Sequence, residues 1–110
     1  MRVAIIGSRE LHIDLVKYLF NGITLIVSGG VKGIDACAEI YADKHNIPKL
    51  IFLPDYKKYG KQAPLLRNKL IVKNCDIVYA FWNGVSRGTK YTIDYAKSIG
   101  IEVKLYLIKD

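Results

Sequence analysis

Val27-Ser28-Gly29-Gly30-Val31-Lys32-Gly33-Ile34-Asp35 is the stretch that decides the fold. It follows an apolar run, Ile23 to Val27, and opens a helical pattern that puts Ile34, Cys37, Ala38, Tyr41, Ala42 and His45 on one face. The order is strand, glycine turn, helix. Gly29, Gly30 and Gly33 leave backbone amides without a Cβ shield where the helix begins, and a helix start carries roughly half a positive charge. A phosphate fits such a place. The same glycines also serve a turn that only lets strand and helix pack closely, and the stretch alone leaves both readings open. Its spacing is neither the dinucleotide GxGxxG nor the GxxxxGK[ST] loop.

Working outward, 110 residues of which 51% are hydrophobic suit one domain, residues 1–110, with a modest core. The longest apolar runs are strand-sized, and the sequence goes directly into Arg2-Val3-Ala4-Ile5-Ile6 with no h-region and cleavage site. The expected compartment is the cytoplasm, with no membrane partner. Cys37 and Cys75 have no Cys or His at ligand spacing and read as buried free thiols. A net charge of +7 favours phosphorylated or polyanionic partners.

Residues 2–6 read as a short buried strand ending at Gly7-Ser8-Arg9. A helix is expected from Glu10 to Phe20, with Leu15, Val16, Leu19 and Phe20 toward the core and Asn21-Gly22 as its stop. After the helix through Lys44, Leu50 to Leu53 reads as a third strand closed by Pro54. Asp55 to Pro64 interleaves Tyr56, Lys57, Lys58, Tyr59 and Lys61 and reads as a mobile loop. A helix is then expected from near Leu65, its apolar stripe Leu66, Leu70 and Ile71, with Arg67 and Asn68 pointing elsewhere. Asp76 to Phe81 forms the fourth strand, Trp82 to Thr89 a second glycine-containing loop, and Lys90 to Ser98 the last helix. Glu102 to Ile108 is an edge strand in which Val103, Leu105 and Leu107 alternate with Lys104 and Tyr106.

Alternating strands and helices give an α/β, Rossmann-like three-layer sandwich with a mostly parallel five-stranded sheet. Ligands of such sheets bind beyond the carboxyl ends of the strands, where the strand order reverses. Ser8 and Arg9, Ser28 to Gly33, Pro54 to Tyr59 and Trp82 to Thr89 all belong to that edge, and Arg67 and Asn68 lean in from the third helix.

Three separated motifs carry a resemblance: Gly7-Ser8-Arg9, then Ser28 through Ala36, then Arg67-Asn68 ahead of Ser86-Arg87-Gly88-Thr89. Together they resemble the SLOG superfamily of Rossmann-like domains, which includes the DprA/Smf DNA-processing proteins, the single-domain YspA-like proteins and the LOG phosphoribohydrolases. The resemblance implies binding of a nucleotide, a nucleotide-derived ligand or nucleic acid at the strand edge. In the LOG enzymes the second glycine loop looks like PGGxGTxxE, with the glutamate serving N-glycosidic cleavage. Here Thr92 holds that position, so the acid/base group is missing and LOG-like hydrolysis is disfavoured. The DprA-like motifs imply single-stranded DNA binding, with Lys57, Lys58, Lys61, Arg67, Lys69 and Lys73 lining a groove and Tyr56, Tyr59 and Trp82 stacking bases. The YspA-like branch matches the length and is preferred, with a phosphate-bearing nucleotide derivative as the ligand and nucleic acid as the rival partner.

The candidate ligand-binding residues are therefore Gly7, Ser8, Arg9, Ser28, Gly29, Gly30, Gly33, Asp35, Arg67, Asn68, Trp82, Ser86, Arg87, Gly88 and Thr89. Each has a structural alternative. Arg9 can pair with Glu10 or Asp14, Ser28 can satisfy the turn, and Asp35 can serve its own helix start. Arg67 stands out because a cation near a helix start is electrostatically misplaced. Thr89 is the expected cap of its helix, and Trp82 is equally a core or homo-oligomer contact. His12 and His45 read as structural. No Ser-His-Asp, Cys-His or metal-ligand set occurs, so catalytic residues stay unassigned, enzyme status is open, and neither cofactor nor metal is called for.

Overall fold

The computed structural model describes residues 1–109, with Asp110 outside the described residues. Five parallel strands form one sheet: β1 (Arg2–Gly7), β2 (Leu25–Ser28), β3 (Lys49–Ile51), β4 (Ile77–Trp82) and β5 (Glu102–Leu107). Their order is β3-β2-β1-β4-β5. The chain winds outward from β1 to β3, then jumps back across β1 to β4, so the reversal falls between β1 and β4. There Val3 stands opposite Ile77 and Gly7 opposite Phe81.

Strand alternation divides the core into two layers. Val3 and Ile5 with Ile77, Tyr79 and Phe81 pack against α1 (Ile34–Lys44), which contributes Ile34, Ala38 and Ala42. Ala4 and Ile6 with Val78 and Ala80 meet α3 (Ala63–Lys73) and α4 (Arg87–Ser98) through Ile71, Val72, Ile93 and Ala96. Each fully buried valine or isoleucine contributes about 1.5–3 kcal/mol, so β1, covered on both faces, anchors the sheet and fixes the position of the loop that follows it. Among the described residues no helix is long and apolar enough to cross a membrane.

Four expectations are corrected. Glu10 to Phe20 is not an α-helix: it holds only a 3-10 turn at Leu15–Lys17. The Asp14 carboxylate accepts the Val16 amide at 3.1 Å and caps a single turn in mid-segment, and His, Ile, Asp and Val are weak helix formers. Side chains fix the segment instead. Leu11 and Leu15 are buried, and Tyr18 sits edge-on to Phe81 and Tyr106, while Val16 and Phe20 are exposed.

The expected loop at Asp55–Pro64 is instead helical. Asp55 accepts the Lys58 amide and caps α2 (Tyr56–Tyr59), a 3-10 turn follows at Gly60–Gln62, and Pro64 lies in the first turn of α3, where its missing N–H costs nothing. The stripe of α3 also differs: Ala63, Arg67 and Ile71 face inward, Leu66 is half-buried and Leu70 is exposed. Arg67 takes an inward position because backbone carbonyls are waiting for it. In β5 the alternation holds at half-buried Val103 and exposed Lys104 and fails at the three residues after them. Tyr106 stacks on Phe81 at 5.2 Å and 11°, whereas Leu105 and Leu107 stay exposed. Tyr18 and Phe81 offer that ring more contact area than the open opposite face offers leucine.

Candidate functional site

A cleft of about 480 Å3 opens beyond the carboxyl ends of β1 and β4, at the strand-order reversal. Its polar lining comes from four elements. Arg9 and Glu10 follow β1, Asp35 stands in the first turn of α1, Arg67 and Asn68 come from α3, and Asn83, Ser86, Gly88, Thr89 and Thr92 come from the β4–α4 loop and α4.

Arg67 is its best-anchored cation. Its side chain is buried, and Nη1 donates to the carbonyl oxygens of Gly29 at 2.7 Å and Phe52 at 3.1 Å. Nε donates to Asn68 Oδ1 at 2.7 Å. Nη2 has no hydrogen-bond partner among the described residues, and no fully buried side-chain nitrogen or oxygen lacks one, so Nη2 keeps contact with solvent. Burial pulls the guanidinium pKa down and the Asp35 carboxylate pulls it back up, leaving it protonated at any ordinary pH. Among the described residues Arg67 makes no ion pair within 4 Å, and Asp35 is the carboxylate that acts on it from further off.

Asp35 lies behind it. Burial raises its pKa, against the opposing effects of Ser28, Arg67, the Val31 amide and Arg9. Ser28 Oγ is 3.1 Å from both the Ile5 carbonyl and Asp35 Oδ1. One hydroxyl hydrogen cannot serve two acceptors fully. With Asp35 protonated, the carboxyl donates to Oγ and Oγ donates to Ile5, and every group is satisfied. Arg9 and Arg67 bring two cations to the cleft, facing the carboxyl groups of Glu10 and of Asp35, whose burial disfavours its charged form.

Opposite stands the start of α4. Ser86 is the cap: its Oγ accepts the Thr89 amide at 3.4 Å, which corrects the expectation of Thr89 in that role. Thr89 is buried. The first α4 amides, at Arg87 and Gly88, have no acceptor among the described residues, and a Cβ on Gly88 would meet nothing within 4 Å. The amide end of a twelve-residue helix therefore opens into free space beside Arg67. A relay ties the two helices together: Asn68 Nδ2 donates to Thr92 Oγ1 at 2.8 Å, and Thr92 Oγ1 donates to the Gly88 carbonyl at 2.9 Å.

Of the candidate residues, Gly7, Arg9, Asp35, Arg67, Asn68, Ser86, Gly88 and Thr89 line this cleft. The others do not. Ser8 is fully buried, and its Oγ accepts the Asn83 amide, which ties the β1 loop to the β4 loop. Ser28 is fully buried beneath Asp35. Gly33, at φ +76°, lies so close to the Arg9 backbone that a Cβ would collide with the Arg9 carbonyl, and a Cβ on Gly30 would fall 2.6 Å from Ile51. Gly29 gives Arg67 and Asp35 room: a Cβ there would meet Arg67 Nη1 at 2.5 Å and Asp35 Oδ2 at 2.8 Å. The glycines after β2 thus serve close packing. Trp82 braces the loop by donating from Nε1 to the Ser86 carbonyl at 2.9 Å, and Arg87 is exposed outside the cleft.

Glu10, Asn83 and Thr92 line the cleft without having been singled out as ligand contacts. Asn83 was legible, since it sits in the loop that topology brings to this edge. Thr92 is one turn beyond Gly88 on the same face of α4. Among the described residues no group of His, Cys, Asp and Glu has metal-binding geometry.

Fold and cleft define a Rossmann-like α/β domain whose polar pocket lies at the point of strand reversal. Among solved structures, the X-ray structure of DNA processing protein A (DprA) from Streptococcus pneumoniae shares this fold, with a TM-score of 0.78 over 94% of the chain at 21% identity. The chain spans about half, 49%, of that protein's length. No protein-family pattern matches the chain, and neither does any curated protein.

Proposed function

We propose that this chain is a single Rossmann-like domain of the SLOG type, nearest the YspA-like branch, that binds a phosphate-bearing nucleotide or nucleotide derivative in the β1–β4 cleft. The observation that carries the reading is Arg67: a buried guanidinium pinned to two carbonyls, without an ion pair among the described residues, in the lining of the same cleft as the start of α4. The phosphate lies between Arg67 and the Gly88 amide, which is the usual anion chemistry of a helix start reinforced by a fixed cation. Arg9 adds a mobile charge at the mouth. Thr92 offers no acid or base, so the reading is binding without N-glycosidic cleavage. Two free thiols, one of them buried, fit a reducing compartment such as the cytoplasm.

Gly88→Asp tests it without disturbing the fold. The new Cβ meets open space, and a carboxylate in the first turn favours the helix, yet it puts negative charge where the phosphate sits. Isothermal titration should give nucleotide binding to the unsubstituted chain and at least tenfold weaker binding to the variant. Equal affinities would remove the α4 start from the site.

A second reading, single-stranded nucleic acid, is favoured by the fold shared with a DNA-processing protein and by Lys57, Lys58 and Lys61, exposed together with Tyr56 and Tyr59. A polymer tracking those lysines would show a log K against log salt slope of about −0.7 per phosphate neutralised.

A further inference from the structure

Six of the seventeen basic residues, and none of the ten acidic ones, lie between Tyr56 and Asn74. Three of them, Arg67, Lys69 and Lys73, line an apolar groove of about 250 Å3 along α3, where Lys69 Nζ also lies over the α4 ring of Tyr95 at 5.4 Å. Leu53, Ala63, Leu66 and Leu70 form its floor, Tyr59 forms one wall, and Lys69 and Lys73, one helical turn apart, form the rim. Leu53 is 67% exposed and Leu70 47% exposed, a poor arrangement for leucines with no partner. The one carboxylate in the lining, Asp55, is committed to capping α2.

The aliphatic floor decides what kind of polyanion suits it. Phosphates gain nothing from Leu53, Leu66 and Leu70, and one face of the Tyr59 ring is already covered by Lys58 Nζ, 5.3 Å from its centroid. Leucine-sized anchors with carboxylates beside them satisfy both features at once. We propose that this groove docks an acidic amphipathic segment of a partner protein, its apolar side chains on Leu53, Leu66 and Leu70 and its carboxylates on Lys69 and Lys73.

The groove shares a wall with the cleft. Arg67 lines both, and its Nη1 holds the Phe52 carbonyl directly before Leu53. A segment seated on Leu53 therefore presses on the strand end that positions the cleft's principal cation. The docking surface itself stands whether or not the cleft takes a nucleotide.

The test uses the full chain and a sixteen-residue model helix of Glu, Ala and Leu with leucines at i, i+3, i+4 and i+7, followed by amide NMR. The expected result is saturable shifts at Leu53, Leu66, Lys69 and Leu70, weakened at least tenfold by Leu70→Glu and by Lys69→Glu/Lys73→Glu. Leu70 and Lys73 are exposed, so Leu70→Glu and the single Lys73→Glu should fold, and they carry the test if loss of the Lys69 contact with Tyr95 unfolds the double variant. The same helix with Lys in place of Glu should bind at least tenfold more weakly. Three results would overturn the proposal: no saturable binding of the acidic helix, equal affinity for the basic one, or oligothymidylate shifting the groove residues at lower concentration than the peptide.

Discussion

Replacing Arg67 by alanine should cost the fold before it reports on any ligand. The guanidinium makes three hydrogen bonds, to the Gly29 and Phe52 carbonyls and to Asn68 Oδ1. A hydrogen bond from a charged donor contributes roughly 1.5–3 kcal/mol. The three are not additive, and water entering from the cleft will recover part of the loss, which leaves about 3–4 kcal/mol. A domain of this size has only about 5–15 kcal/mol in all. In urea, with a slope of about 2 kcal/mol/M, the midpoint should fall by about 1.5–2 M. Arg67→Lys should restore less than half, because an ammonium cannot fork to two carbonyls and an amide. The exposed Lys90–Asp94 pair at 2.8 Å calibrates the scale: Lys90→Ala should shift stability by less than about 0.5 kcal/mol. A loss of under about 1 kcal/mol in Arg67→Ala would refute the view that this side chain pins the β2 and β3 ends together.

Gly33→Ala should destabilise by more than about 2 kcal/mol, read as a lower unfolding temperature, since it adds a collision with the Arg9 backbone to a left-handed φ. Asp35 gives a pH signature of definite sign. Its folded pKa is raised, so its contribution to stability is greatest below the unfolded carboxyl value of about 4 and declines as pH rises through the folded value. Subtracting the urea midpoints of Asp35→Asn from those of the unsubstituted chain should give a difference that falls with pH, and a rising difference would show Asp35 to be stabilised as its anion. The Asp76 carboxylate, held low by Arg2, works in the opposite sense, which is why the difference between variants is the readout. Changing Lys57, Lys58 and Lys61 to glutamine should abolish salt-sensitive oligonucleotide binding and leave any cleft ligand bound.

Much of the architecture was written in the residues. The apolar runs at Val3–Ile6 and Ile77–Phe81 and the glycine turn at Ser28–Gly33 determine a parallel sheet, and right-handed crossovers then bring the loops after β1 and β4 together. Tertiary partners decided the rest. Asp14 looks like any polar helix residue until its carboxylate takes the Val16 amide. Tyr106 reads as a solvent-facing position until Tyr18 and Phe81 form a pocket for it. The site shows the same division. Arg67 and Asn68 were legible because a cation near a helix start needs a reason, but the reason includes the Gly29 and Phe52 carbonyls, which no periodicity reveals. Ser8 and Ser28 carry the right chemistry for a ligand in sequence, yet both hydroxyls are committed inside the protein.

The most direct measurement is an amide and arginine-Nε NMR titration of the unsubstituted chain with nucleoside mono-, di- and triphosphates and dinucleotides. Saturable shifts at Arg87, Gly88 and the Arg67 Nε–H are expected, with a dissociation constant below about 1 mM, that is, beyond about −4 kcal/mol. Shifts confined to Lys57, Lys58 and Lys61, or no saturable shift with any member of the panel, would contradict a phosphate site between Arg67 and the start of α4.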